Sequence, residues 1–144
     1  MTLIKNKQII DDSWHYQAAE QDLHGSHNIV DLAYWQANKS DLISEKSSLG
    51  LLVDGNEGLE SFIDDLQYFS LIAINFPTFA DGRGYSLAKT LREQCKYAQE
   101  LRATGDILPD QALYLARVGF DVLELANEKS AQLALSKLDE FSIF

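Results

Sequence analysis

Residues 71–93 read LIAINFPTFADGRGYSLAKTLRE. The first six are of strand length and largely apolar, and Pro77 closes them because it has no N–H to give a β-ladder. A helix from about Tyr85 to Lys96 follows, with Tyr85, Ala88, Leu91 and Cys95 recurring on one face. That placement makes Cys95 a packed core thiol rather than a nucleophile. Strand, loop and helix together form one βα unit.

The same unit recurs on both sides. Upstream, LGLLVD (49–54) is a compact strand run ended by the turn signal DGNEG. The segment LESFIDDLQYF (59–69) then places Leu59, Phe62, Ile63, Leu66 and Phe69 at helical spacing. Downstream, ELRATGD (100–106) reads as a strand, and Pro109 opens the helix PDQALYLARVG at its favoured first position, with Gly119 ending it. FDVLEL (120–125) is a further strand, and SAQLALSKLDEF (130–141) a last amphipathic helix. Strands beginning near residues 49, 71, 100 and 120 predict an α/β fold of about four βα units, with a parallel sheet and right-handed crossovers. A complete eight-fold barrel takes about 250 residues. The 144 residues here predict one domain, 1–144, built as a half-barrel-like or small open sheet. A half-barrel also leaves room for two copies to complete one another.

Residues 1–45 are less regular. LIKNKQII (3–10) has strand character, QDLHGSHNIV (21–30) reads as a polar surface connection, and Asp31 is placed to cap a helix through DLAYWQAN. His24 and His27 stand in HxxH spacing, but Gly25 and Ser26 between them favour a loop over a metal site.

Composition narrows the function. With 46% hydrophobic residues the chain can bury one sizeable core. No apolar run approaches the roughly 20 residues that span a bilayer, and charges interrupt MTLIKNKQII, which is a poor signal peptide. A single cysteine fits a reducing cytoplasm and supplies too few thiolates for an iron–sulfur cluster. The net charge of -10 argues against nucleic acid and membrane surfaces as partners. Residues 81–120 depart from that balance: they carry +1 and contain all four arginines, the side chains best shaped for oxyanions and carboxylates.

Ligands of parallel α/β folds gather beyond the carboxyl ends of the strands. FPTFADGRGYS and TGDILPDQ fall there and would bring Asp81, Arg83, Tyr85, Asp106, Asp110 and Gln111 to one rim. Arg102 alternates within its strand and can face either side. Two helix N-termini would add N–H groups to an anion site anchored by Arg83. The same loop reads equally as scaffold: a tight turn needing positive φ at glycine, Asp81 capping the helix and Arg83 paired with an acid. Gly82 and Gly84 give G-x-G without a third glycine, as Leu87 occupies its place. No P-loop sequence occurs, and the histidines lie too early for a hydrolase triad. No cofactor is expected.

FPTFADGRGYSLAKTLRE, followed by ELRATGDILPDQALYLARVGFDVLEL, resembles the signature of the bacterial domain-of-unknown-function 934 family. The resemblance covers about residues 71–125 and carries over Phe76, Pro77, Phe79, Asp81, Gly82, Arg83, Gly84, Tyr85, Ser86, Leu91, Arg92, Arg102, Gly105, Asp106, Asp110, Gln111, Gly119 and Phe120. It implies an accessory protein of cytoplasmic assimilatory sulfite reduction, labelled an oxidoreductase, whose partners would be sulfite reductase or its electron donor. It also leaves open an enzyme acting on a small anion, with Arg83 as anchor and Asp81 or Asp106 as acid or base. Oxidoreductase chemistry normally belongs to a cofactor; with a single cysteine and no cofactor motif, the purified chain is expected to be colourless.

Overall fold

The computed structural model describes residues 1–17 and 23–142. Among the described residues, eight strands form one sheet: β1 (Thr2–Lys5), β2 (Gln8–Ile10), β3 (His15–Tyr16), β4 (Asn28–Asp31), β5 (Leu49–Asp54), β6 (Leu71–Phe76), β7 (Glu100–Gly105) and β8 (Val122–Leu125). Four helices accompany them: α1 (Leu32–Glu45), α2 (Arg83–Glu93), α3 (Ala112–Val118) and α4 (Glu128–Ser142). The order across the sheet is β2-β1-β8-β7-β6-β5-β4-β3, parallel from β3 to β8, with β1 antiparallel to both β8 and β2. This is the α/β half-barrel that the repeated βα units predict, with more strands than the regular region alone supplies.

The sheet must curl. Its first and last strands in spatial order, β2 and β3, are joined by only Asp11–Trp14. Seven inter-strand steps across a flat sheet would separate those edges by about 34 Å. The five residue steps from Ile10 to His15 reach about 18 Å at most. Residues 11–17 therefore run as a strap over the inner face before their end joins the sheet edge as β3, and Trp14 packs there, with Leu52, against the cluster of Ile29, Leu71 and Ala73.

Strand alternation divides the side chains. Ile72, Ile74 and Phe76 of β6, with Leu101 and Ala103 of β7 and Leu123 and Leu125 of β8, face the main core, where Leu87, Ala88 and Leu91 of α2, Leu115 of α3 and Ala131 and Ala134 of α4 meet them. Cys95 packs half-buried against this core, but α2 ends at Glu93, so the thiol lies beyond the helix whose face was expected to carry it. The alternate residues, including Arg102, Thr104 and Glu124, line the strap side and are buried as well.

Several local expectations are revised. LIKNKQII is a hairpin, turned at Asn6 and Lys7 with φ of 52° and 60°. Its turn lacks the glycine that usually marks positive φ. Residues 28–30 of the stretch read as a surface connection belong to β4, and Asp31 caps α1 by accepting from the Tyr34 N–H at 2.7 Å. Residues 59–69 form two 3-10 turns, Leu59–Ser61 and Ile63–Tyr68, broken at Phe62 with φ −145°. Phe62 and Phe69 are buried there while Ile63 stays exposed.

Arg92 fastens the helix layer to the sheet. Its guanidinium donates to the Gly119 carbonyl from two nitrogens (3.0 and 2.9 Å), to the Tyr97 and Gln99 carbonyls (both 2.7 Å) and to Asp121 Oδ2 (2.6 Å). Asp121 Oδ2 also accepts from the Leu101 N–H at the start of β7. Gly119 closes α3 at φ 120°, and a Cβ there would stand 2.6 Å from Arg92 Cγ. Arg92→Ala orphans several backbone carbonyls at once and should cost more than about 2 kcal/mol, given that hydrogen bonds to charged groups contribute about 1.5–3 kcal/mol each. Arg92→Lys should recover little of this, since an ammonium lacks the planar fork. Urea unfolding of both variants measures it, and a wild-type midpoint for Arg92→Lys would refute the geometric argument.

Asp65 gives the fold a pH dependence. It accepts from the buried Trp35 Nε1 at 2.9 Å and pairs with Lys39 at 2.7 Å. Burial pushes its carboxyl up, but the Lys39 and Trp35 hydrogen bonds outweigh burial and hold it below its ordinary value. A depressed carboxylate stabilises the fold above its unfolded pKa, and the contribution is lost as pH falls through the folded one. Asp65→Asn should therefore flatten the wild-type loss of stability below about pH 4, as measured by denaturant unfolding across pH. An unchanged acid limb would remove Asp65 from the account.

Candidate functional site

The rim beyond β6 and β7 is assembled from two loops that hold each other. The Asp106 N–H donates to the Phe76 carbonyl at 2.8 Å, and Asp106 Oδ2 accepts from the Phe79 N–H at 3.0 Å. Gln111 completes the clasp: its Nε2 donates to the Phe79 carbonyl and its Oε1 accepts from the Leu108 N–H, both at 2.8 Å. Both backbone polar groups of Phe79 are thus satisfied by side chains from the neighbouring loop. The Phe79 ring itself is left outside, 49% exposed.

Asp81 and Arg83 close on each other. Asp81 Oδ1 accepts from the Arg83 N–H and from Arg83 Nε, both at 3.0 Å, while Oδ2 lies 2.7 Å from a terminal guanidinium nitrogen. Asp81 thereby makes an aspartate turn onto the first N–H of α2, but it is not the capping residue expected: the N-cap is Gly82, which has no side-chain cap bond. The Arg83 side-chain bonds, then its backbone N–H, hold the Asp81 carboxyl down at about 2. The same bonds raise Arg83 above its usual value.

The glycines have different reasons from the one expected. Gly82 sits at φ −82°, ψ −3° with open space where a Cβ would be. The turn does not need its left-handed freedom, because the chain enters α2 directly in helical geometry. Gly84 is the constrained one: its Cβ would meet the Phe76 ring at 2.5 Å, and a Cβ on Gly55 would meet the Gly84 nitrogen at 2.7 Å. Gly105, at φ 90°, faces the Asn75 side chain and the Phe76 backbone on the other side of the same strand end. Asn75 is held in turn by donating to Asp54 Oδ1 at 2.9 Å.

The remaining site candidates divide. Tyr85 packs edge-on against Phe76 at 5.2 Å and tilts against Tyr114 at 4.8 Å. Burial, followed by the neighbouring Tyr114, raises its hydroxyl pKa. Asp110 points outward to Lys137 at 3.8 Å. Arg102 is not at the rim: it projects to the strap side of β7, 2% exposed, where Asp12 accepts from its two terminal nitrogens at 3.1 and 3.2 Å. Beside it, Glu124 accepts from the Tyr16 hydroxyl at 2.7 Å.

Sequence reasoning missed Asp12, Tyr16 and Glu124. A charged residue inside each of the buried runs ELRAT and FDVLEL was the available signal for Arg102 and Glu124. Their strap partners lie 90 and 108 positions away in sequence and left none. His24 stacks on His15 at 3.8 Å, while His27 packs edge-on against Trp14 at 5.0 Å, so the two histidines of HxxH have separate partners. Among the described residues, no group of three or more His, Cys, Asp or Glu is arranged to hold a metal ion. Nor is any described helix long and apolar enough to cross a membrane.

A curled α/β sheet with a glycine-constrained rim is the structural setting of a known sequence pattern. The model of the family described as bacterial protein of unknown function, DUF934, matches residues 50–144, and the chain belongs to that family. The match spans both rim loops, Arg92, Arg102, Gly119 and Glu124. No curated protein matches the chain.

The glycine geometry separates two substitutions. Gly82→Ala should change stability by less than about 0.5 kcal/mol, as an unobstructed surface replacement. Gly84→Ala should cost about 1–3 kcal/mol or more through overpacking against Phe76. Thermal melts of the pair test this, and equal losses would contradict the contact between Gly84 and Phe76.

Proposed function

We propose that this chain serves cytoplasmic assimilatory sulfite reduction as an accessory protein, docking on a basic protein partner through the rim around Phe79, Leu108 and Tyr114. The setting rests on the family resemblance, and the partner would be the reductase or its electron donor. One observation carries the docking mode. Three large apolar side chains, Phe79, Leu108 and Tyr114, stand exposed around Gln111, while the polar groups beneath them are bonded to one another. Aromatic anchors surrounded by satisfied polar groups are typical of interface centres. The net charge of -10 would speed encounter with a basic partner, and it comes from the chain outside residues 81–120, which stand at +1 and carry most of the rim.

The competing reading, a small-anion-processing enzyme, asks more of the same residues. A carboxyl held at about 2, as Asp81 is, makes a weak base near neutral pH. Arg83 would have to leave Asp81 in order to anchor a substrate.

Tagged protein incubated with a cell extract at low ionic strength should retain the reductase or its electron donor, and less of it as salt shortens the screening length from about 10 Å to 3 Å between 0.1 and 1 M. Phe79→Ser with Tyr114→Ser should lose that partner and fail to restore growth on sulfate to a deletion strain, with thermal stability unchanged. Retention of no sulfur-assimilation protein, or full growth with the double variant, would defeat the docking reading. Growth that fails with Arg83→Ala but survives the double variant would favour the enzyme.

A further inference from the structure

The strap side of the sheet holds a second polar cluster, separate from the rim. Arg102 and Glu124 rise from the adjacent parallel strands β7 and β8 and are both buried, with 3.9 Å between the guanidinium and the carboxylate. Asp12 and Tyr16 descend on them from the strap. Buried ion pairs add little stability over apolar residues of similar volume. This pair is also imperfect. The Asp12–Arg102 contacts, at 3.1 and 3.2 Å, exceed the roughly 2.7–2.9 Å usual for charge-assisted bonds. The buried Arg102 Nε–H has no hydrogen-bond partner among the described residues. Asp12, by contrast, has an exit. Its side chain is 33% exposed, and with Leu3, Ile10 and Glu128 it lines an open cavity of about 320 Å³.

We infer that Arg102 anchors a binding site for a small monoanion with two coplanar oxygens, a monocarboxylate being the type, and that Asp12 is an internal stand-in for that ligand. A guanidinium offers two forks, one between its terminal nitrogens and one between Nε and a terminal nitrogen. Asp12 occupies the first. With Asp12 withdrawn into the open cavity, an incoming carboxylate takes the place it leaves on the guanidinium and can shift onto the second fork to satisfy the orphan Nε–H. Charge sets the selectivity. Arg102 stands between two carboxylates, so exchanging Asp12 for a monoanion leaves the charge of the cluster unchanged. A dianion would add a negative charge beside the buried Glu124, where the low local dielectric magnifies repulsion. Tyr16 continues to donate to Glu124 and keeps the strap in register while Asp12 leaves.

The test titrates sodium acetate into the full-length protein by calorimetry, at ionic strength held constant with chloride. Asp12→Asn removes the internal carboxylate but keeps an oxygen for the Trp14 N–H that Asp12 holds at 2.9 Å. Because it deletes a tethered competitor with millimolar or higher effective concentration, it should tighten acetate binding at least about tenfold over the wild type. Sulfate should not bind this variant, and adding Glu124→Gln to it should admit sulfate. Acetate should raise the melting temperature of Asp12→Asn, and chloride should not. A folded Asp12→Asn that binds acetate no better than the wild type would overturn the inference, leaving a structural ion pair. Equal binding of sulfate and acetate by Asp12→Asn would overturn the ligand class. If Asp12→Asn does not fold, Asp12→Ser is titrated in its place. Failure of both to fold in the presence of acetate also overturns the stand-in role.

Discussion

Four residues, Asp11–Trp14, join opposite edges of an eight-stranded sheet, and much of the architecture follows from that short link. A flat sheet would put those edges well beyond its reach, so the strands curl until β3 can rest against β4 and Tyr16 can touch Glu124 on β8. Curling sends the helices to the outer face and gives the inner face a lining of its own. That lining mixes Ile29, Leu71 and Ala73 under Trp14 with the ions of Arg102, Asp12 and Glu124. A fold made from the βα units alone would leave these groups open to water. The strap desolvates them, and desolvation is what makes their pairing consequential.

The glycines and arginines of the central segment illustrate how similar residue types take on different work. Gly84 and Gly105 allow backbone to approach the end of β6 from two sides, fixing where the rim loops leave the sheet. Gly119 makes room for Arg92, whose guanidinium spans the end of α3, the 97–99 loop and, through Asp121, the start of β7. Arg83 neutralises the aspartate just before α2, whereas Arg102 is enclosed on the other face of the sheet. Of these central glycines, Gly82 alone has neither a constrained angle nor a close neighbour. The rim is therefore a rigid platform whose polar atoms are engaged, and its free surface is the apolar group around Gln111.

Local signals in the sequence determined the regular elements. LIAINF became β6, Asp31 capped α1, Pro109 opened the turn leading into α3, and Gly119 ended that helix, because each depends on neighbours within a few residues. The pairing of the two rim loops was also legible, since parallel βα units place successive loops at one end of the sheet. Segment 59–69 misled because five apolar residues in eleven cannot separate a 3.6-residue period from a 3.0-residue one. Only the tertiary structure decided which side Arg102 faces, which carboxylates meet it and what the rim leaves exposed. The Arg102 cluster depends on contacts 90 and 108 positions apart and the rim on ones 27 and 32 apart, brought together by the tertiary fold, and no local pattern encodes them.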